Sequence, residues 1–228
     1  MRYNQDFFVV LHQIIQYMTA FLQQLKDKLD LIGISHDGKY GLLFQSIAGD
    51  LLNHVLIAKG DKLYEIIEIE FYLFSPKHPD VITYPRHIDG GQWFFHQSGV
   101  DLSFKSNDTV FGGILIRGIR EHKDDATPVV GPLKCVDLLW DRFDAFTPSP
   151  DSYPRIVMAD KPLGKHITNM ARWIPVSKGQ TRERKIEDWV KRLPASINRN
   201  ELPSTENLVN SVFYEMIRFQ AKTMPELP

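Results

Sequence analysis

Over residues 4–31 apolar side chains recur at three- and four-residue steps: Phe7, Leu11, Ile14, Ile15, Met18, Phe21, Leu22, Leu25 and Leu29, with Gln, Lys and Asp between them. That period predicts a long amphipathic helix. Gly33 and Ser35-His36-Asp37-Gly38 predict the turn that ends it. A shorter helix is expected over 42–53 and a strand over 54–58, followed by a Gly60-Asp61 hairpin turn. In the strand beyond that turn the step becomes two. Ile67, Ile69 and Phe71 fall on one face, and Glu68, Glu70 and Tyr72 on the other. The apolar set can bury against a core while two carboxylates and a phenol line something polar.

Further on, 74–91 carries prolines, histidines and glycines and predicts a loop over a pocket mouth. Strands are expected over 93–95, 100–104 and 111–119, and a charged connection over 121–127. Pro132 after Gly131 predicts the opening of a helix over 132–143. A proline-rich loop (146–154), a strand (155–158), a mixed segment (161–173), an exposed helix (182–193) and an amphipathic helix (205–222) capped by Ser204 complete the chain. The expected fold is α+β, a single domain with a curled, mainly antiparallel sheet and extra N- and C-terminal helices. Its expected divisions are 1–40 (N-terminal helix), 41–178 (central domain) and 179–228 (C-terminal helical extension).

Composition narrows the function. With 228 residues and 43% hydrophobic content the chain can bury a full core. There is no apolar run of spanning length and no leader with a basic end and an apolar middle, so the expectation is a soluble, unexported protein, cytoplasmic or nucleoid-associated or nuclear, with no membrane partner. The single cysteine, Cys135, excludes an internal disulfide. The net charge of −1 lowers the expectation of nucleic-acid binding, which draws on a basic excess, but leaves room for a local basic face. The first helix is expected to pack on the domain; its wide stripe also suits a homo-oligomer contact.

Five short elements occur in order: Ile47-Ala48-Gly49-Asp50-Leu51-Leu52, Glu68-Ile69-Glu70-Phe71-Tyr72, Asp101-Leu102-Ser103, Ile116-Arg117 and Gly131-Pro132-Leu133-Lys134. In order and spacing they resemble the alkyladenine (methylpurine) DNA glycosylases, over roughly residues 42–175, with Arg155-Ile156 a fainter match. The resemblance implies a monofunctional hydrolase that cleaves the N-glycosidic bond of a modified base flipped out of DNA, with no cofactor. It implies Glu70 as the catalytic carboxylate and Tyr72 as the residue stacked on the flipped base, in a pocket shared with Glu68 and Asp101. It also implies Phe94 as the wedge left in the duplex, and Arg117, Gly131 and Lys134 as contacts to DNA. A carboxylate suits this chemistry twice, because it can deprotonate the attacking water and stabilise the cationic sugar.

Two positions depart from the family pattern. Asp101 stands where the family places an Asn, which implies preference for a base with an amino group or a positive charge over hypoxanthine. Val81 stands where the family has a His, leaving His78 and His87 as the nearest substitutes. Structural alternatives stay open: Glu70 as a salt-bridged sheet residue, Arg117 paired with Glu68, Lys134 solvated, and two of Trp93, Phe94 and Phe95 as core. His78, Asp80, His87, Asp89 and His96 match no metal spacing, and no metal is expected. The alternative functions are a non-catalytic nucleic-acid or partner-binding protein on the same scaffold, or a hydrolase of free modified nucleosides. A basic stripe beside the pocket mouth would favour nucleic acid.

Overall fold

The hairpin predicted at Gly60-Asp61 seeds the sheet. Strand β1 (Val55–Lys59) pairs antiparallel with β2 (Lys62–Ser75) across Gly60, whose φ of +58° suits a residue without Cβ. A computed structural model of the protein describes residues 3–32, 40–141, 153–172 and 174–223. The predicted turn at 33–38 and nearly all of the 146–154 loop lie outside the described residues.

β2 is the axis of the fold. On one side it pairs with β6 (Phe111–Glu121), which continues to β5 (Gly99–Ser103), β4 (Trp93–His96) and the short β7 (Val129–Val130). On the other it pairs first with β1, which carries β8 (Arg155–Met158), and then with β10 (Arg218–Thr223), which carries β9 (Lys165–Met170). β3 (His78–Pro79) folds back on its end. All ten strands form one curled antiparallel sheet.

The expected faces of β2 need one correction. The β2–β6 register shifts on either side of Glu68. Such a bulge inserts one residue and turns the strand. Ile66 therefore enters the core with Ile69, Phe71 and Leu73, while Ile67 is only half-buried. Gly118 faces the bulge, and a Cβ there would stand 3.0 Å from Ile67 Cγ1 and 3.1 Å from Glu68 Cβ. Glu68, Glu70 and Tyr72 still share the face opposite the main core.

That core lies beneath α1 (Tyr3–Leu31) and α2 (Tyr40–Asn53). Phe44 stacks on Phe71 at 4.5 Å, and Phe104 completes the layer. In α1, Leu25 and Leu29 are buried and Phe21 and Leu22 pack on the core, whereas Ile15 is exposed. The side chains of Phe7, Leu11 and Ile14 lie outside the described residues. Helix α3 (Pro132–Leu139) opens at Gly131 as expected and ends at Trp140, short of the expected 143.

The C-terminal part is not the helical extension expected over 179–228. Helix α4 (Arg182–Arg192) is capped by Thr181, and α5 (Thr205–Tyr214) by Ser204 as predicted. Both pack into a second apolar cluster with Phe74, Val81 and Phe111. The predicted helix over 205–222 stops at Tyr214, and the chain then becomes β10. Ile217, Phe219 and Ala221 are buried while Arg218, Gln220 and Lys222 are not. That is a two-residue step, and the sheet enforces it because β10 fills an edge of β2 that would otherwise lack partners. Among the described residues, no helix is long and apolar enough to cross a membrane.

Candidate functional site

A cavity of about 570 Å³ opens against the polar face of β2, between the 81–86 segment, the β4–β5 hairpin and α4. Tyr72, Arg117 and Asp101 form part of its wall.

Beneath that wall lies a buried ion-pair network. Arg117 donates from Nε to Glu68 Oε1 (2.9 Å) and from Nη1 to Glu70 Oε2 (3.1 Å). Arg218, brought in by β10, sets Nη2 2.7 Å from Glu68 Oε1 and Nε 3.8 Å from Glu70 Oε1. Two carboxylates thus meet two guanidinium groups, the balance that buried charge requires. The Tyr72 hydroxyl donates to Glu70 Oε2 at 2.8 Å. Glu70 has no exposed surface and lies one side chain behind the cavity, reached through Tyr72 and Arg117. Among the described residues, no hydrogen-bond donor reaches its Oε1. Burial, reinforced by the Glu70 charge, holds the Tyr72 phenol well above its ordinary pKa, so it stays protonated. Burial lowers the Arg117 pKa, but Glu70 and Glu68 outweigh it and the guanidinium is charged.

Asp101 lines the cavity as a partner rather than a free charge. Its Oδ2 is 2.7 Å from Arg86 Nη1, and its Oδ1 3.0 Å from His96 Nε2. Because His96 Nδ1 accepts from the Ser98 backbone N–H at 3.2 Å, the ring proton sits on Nε2 and points at Asp101. Gly113 makes this meeting possible: a Cβ there would lie 2.9 Å from Asp101 Cβ and 3.0 Å from Arg86 Nη1. Arg86 is clamped further by Nε donating to Tyr84 O and by the Phe94 ring, 3.9 Å from its Cζ. Its Nη2 and the Thr83 Oγ1, both buried in the cavity wall, find no hydrogen-bond partner among the described residues. A buried donor left so costs about 1–3 kcal/mol, which an acceptor on a ligand would relieve.

The other expected residues distribute as follows. His78 is not in this cavity. It sits in the main core against Tyr40 and Phe44, with Nδ1 2.7 Å from Leu73 O and Nε2 3.0 Å from Glu215. Burial pulls its pKa down, but Glu215 outweighs that and leaves it raised above 6.5. His87, the other histidine expected near the pocket, is exposed and outside the cavity lining. Phe94 is the floor under Arg86, whereas Phe95 is the exposed aromatic of the hairpin, packed edge-on against Trp140. Gly131 and the exposed Lys134 open α3, whose Pro132 borders the cavity. Cys135 is buried, which pushes its thiol up to about 12 and keeps it inert. Asp80, from the His-Pro-Asp turn, receives Arg172 bidentately at 2.7 and 3.1 Å, and the same guanidinium covers the Tyr72 ring at 4.6 Å. Among the described residues, no three His, Cys, Asp or Glu side chains converge as metal ligands would.

Sequence reasoning missed Arg86, Arg172 and Arg218. Arg218 had a signal in the alternation of 217–222; Arg86 and Arg172 carried none, since each reaches its partner only through the fold. At the mouth stand Lys185 and Arg192 of α4, with Trp189 between them. Comparison with family models, with curated proteins and with solved structures finds no significant match.

Proposed function

We propose that the protein is a monofunctional N-glycosyl hydrolase that accepts a modified base flipped out of DNA. The observation that carries this reading is the Glu70–Tyr72–Arg117 unit: a buried carboxylate wired to a phenol in the wall of a cavity that Tyr84 and Trp189 also line. Its volume, about 570 Å³, lies in the range of small-ligand sites, roughly 300–1,000 Å³. The cations Lys185 and Arg192 at the mouth favour a phosphate-bearing strand over a free nucleoside.

In the proposed reaction the oxygen of a water molecule bonds to the sugar carbon as the bond to the base nitrogen breaks. The electron pair leaves on the base. The water proton passes to the Tyr72 oxygen while the Tyr72 proton moves to Glu70 Oε2; the reverse transfer, from Glu70 to Tyr72 and from Tyr72 to the base nitrogen, then protonates the departing base. Glu70 acts through Tyr72, so it is a positioning residue and Tyr72 the group that touches the reactants. The unpartnered Arg86 Nη2 makes the preferred base one that presents a carbonyl oxygen, the reverse of the preference expected from Asp101 alone.

The second reading, a base-binding protein without cleavage, is favoured by the zero exposure of Glu70. Single-turnover base release from oligonucleotides carrying a panel of altered purines and pyrimidines separates the two. Release slowed about 10²–10⁴-fold by Glu70→Gln supports the hydrolase; retained binding with no release from any member supports the second reading.

A further inference from the structure

A second cavity, about 430 Å³, lies at the opposite end of β2 and plays no part in the chemistry above. Its polar end is built on Glu65. Arg120 Nη2 donates to Glu65 Oε2 at 2.7 Å, His122 Nδ1 lies 2.8 Å from Oε1, and Lys165 Nζ lies 2.9 Å from Oε2. Lys165 is held deliberately. Asn53 brackets its backbone, accepting from its N–H at 2.8 Å and donating to its carbonyl at 3.2 Å. Its ammonium is almost wholly buried, with side-chain exposure of 3%. Lys161 and Asp160 stand at the rim.

The cavity gathers positive charge. Arg120, Lys165 and Lys161 are cations, and His122 adds a fourth when protonated; Glu65 and Asp160 are the carboxylates. Glu65 and Lys165 are buried and match one another, whereas Lys161 and Asp160 are exposed at the rim. Glu65 already accepts from three donors. Lys165 has three N–H groups and places one on Glu65 and a weaker one on Ile66 O at 3.5 Å, which leaves one for the cavity. His122 spends Nδ1 on Glu65, and its side chain is 42% exposed, which leaves Nε2 for another partner. Away from this end the wall is apolar, with Leu56, Val157, Met158 and Leu163.

We infer that this cavity binds a phosphomonoester, with the phosphate on Lys165, His122 and Lys161 and the organic part against the apolar wall. A phosphate supplies negative charge among these cations and acceptor oxygens for several N–H groups at once. The cavity is too large for the anion alone, and its apolar portion gives the attached group a place.

Calorimetric titration of the full chain tests this, using inorganic phosphate and a nucleoside monophosphate, each at ionic strength matched with chloride. Phosphate is expected to bind saturably, and the monophosphate at least tenfold more tightly than the unphosphorylated nucleoside. His122→Gln and Lys161→Ala, both at exposed positions and each checked for an unchanged fold by circular dichroism, are expected to weaken phosphate binding fivefold or more, while Arg192→Ala at the other cavity leaves it unchanged. Absence of a binding heat above the chloride control overturns the inference. So does phosphate binding that survives both substitutions, or that is lost on Arg192→Ala instead.

Discussion

Tyr72 and Glu70, two residues apart on one strand, are joined by a 2.8 Å hydrogen bond that runs from the phenol at the cavity wall to a carboxylate with no exposed surface. In the proposed reaction the pair divides reach from basicity. Tyr72→Phe keeps the ring and removes the relay; Glu70→Gln keeps the shape and removes the proton acceptor. Each is expected to slow single-turnover base release by about 10²–10⁴-fold, the span of a general acid–base contribution. The double variant is expected to be no slower than the worse single one, because both break one path. Multiplicative losses would show that the two residues act separately.

Asp101→Asn was expected from sequence to shift base preference. With Arg86 paired to it at 2.7 Å, the larger effect is on folding. Removing one partner of a buried pair costs about 3–5 kcal/mol. Thermal and urea unfolding are expected to show that loss for Asp101→Asn, and the Arg86→Gln/Asp101→Asn double variant to lose less than the sum of the single losses. Strict additivity would mean that the pair is not coupled.

Phe94 and Phe95 separate stability from binding. Phe95→Ser is expected to weaken binding of duplex DNA while leaving the melting temperature nearly unchanged, since its ring is exposed. Phe94→Ser removes the surface under Arg86 and is expected to lower the melting temperature instead. The reverse pattern would restore Phe94 as the wedge.

Acid stability follows from Glu65. Burial raises its pKa, but His122, Lys165 and Arg120 hold it at about 2 against 4.5 for the free side chain. A depressed folded pKa contributes stability that is present above 4.5 and lost as pH falls toward 2. At 1.36 kcal/mol per unit the contribution is up to about 3 kcal/mol. His78 acts oppositely: its raised pKa contributes stability below 6.5 that is lost as pH rises through the folded value. Unfolding free energies measured from pH 2 to 8 are expected to show both slopes, with Glu65→Gln flattening the first alone.

Much of the sheet was legible because alternation and turn chemistry act locally. The Gly60 hairpin, the strands around Gly99 and Gly112-Gly113, and the Gly131 start of α3 all follow from neighbours in sequence. The bulge at Ile67 was not, because it depends on Gly118 across the ladder. Nor was β10, where a helix-like run from Thr205 hides the change of step at Ile217. In the site, the resemblance drew attention to Glu70, Tyr72, Asp101 and Arg117, which the fold does bring to one face. It misplaced His78, whose partner Glu215 lies on the far side of the chain in sequence. Burial decides whether a histidine reads as a ligand or as a core ion, and burial is a property of the fold.

The pairing of β10 with β2 also has a consequence for how the chain is made. Arg218 is synthesised 148 residues after Glu70 and 150 after Glu68. Until then the nascent chain holds the two carboxylates against Arg117 alone, beside a stretch of β2 with an open edge. Completion of this polar face of β2 therefore waits on β10, and a chain cut short before Arg218 would carry Glu68, Glu70, Tyr72 and Arg117 yet lack the strand that brings the second guanidinium to the two carboxylates.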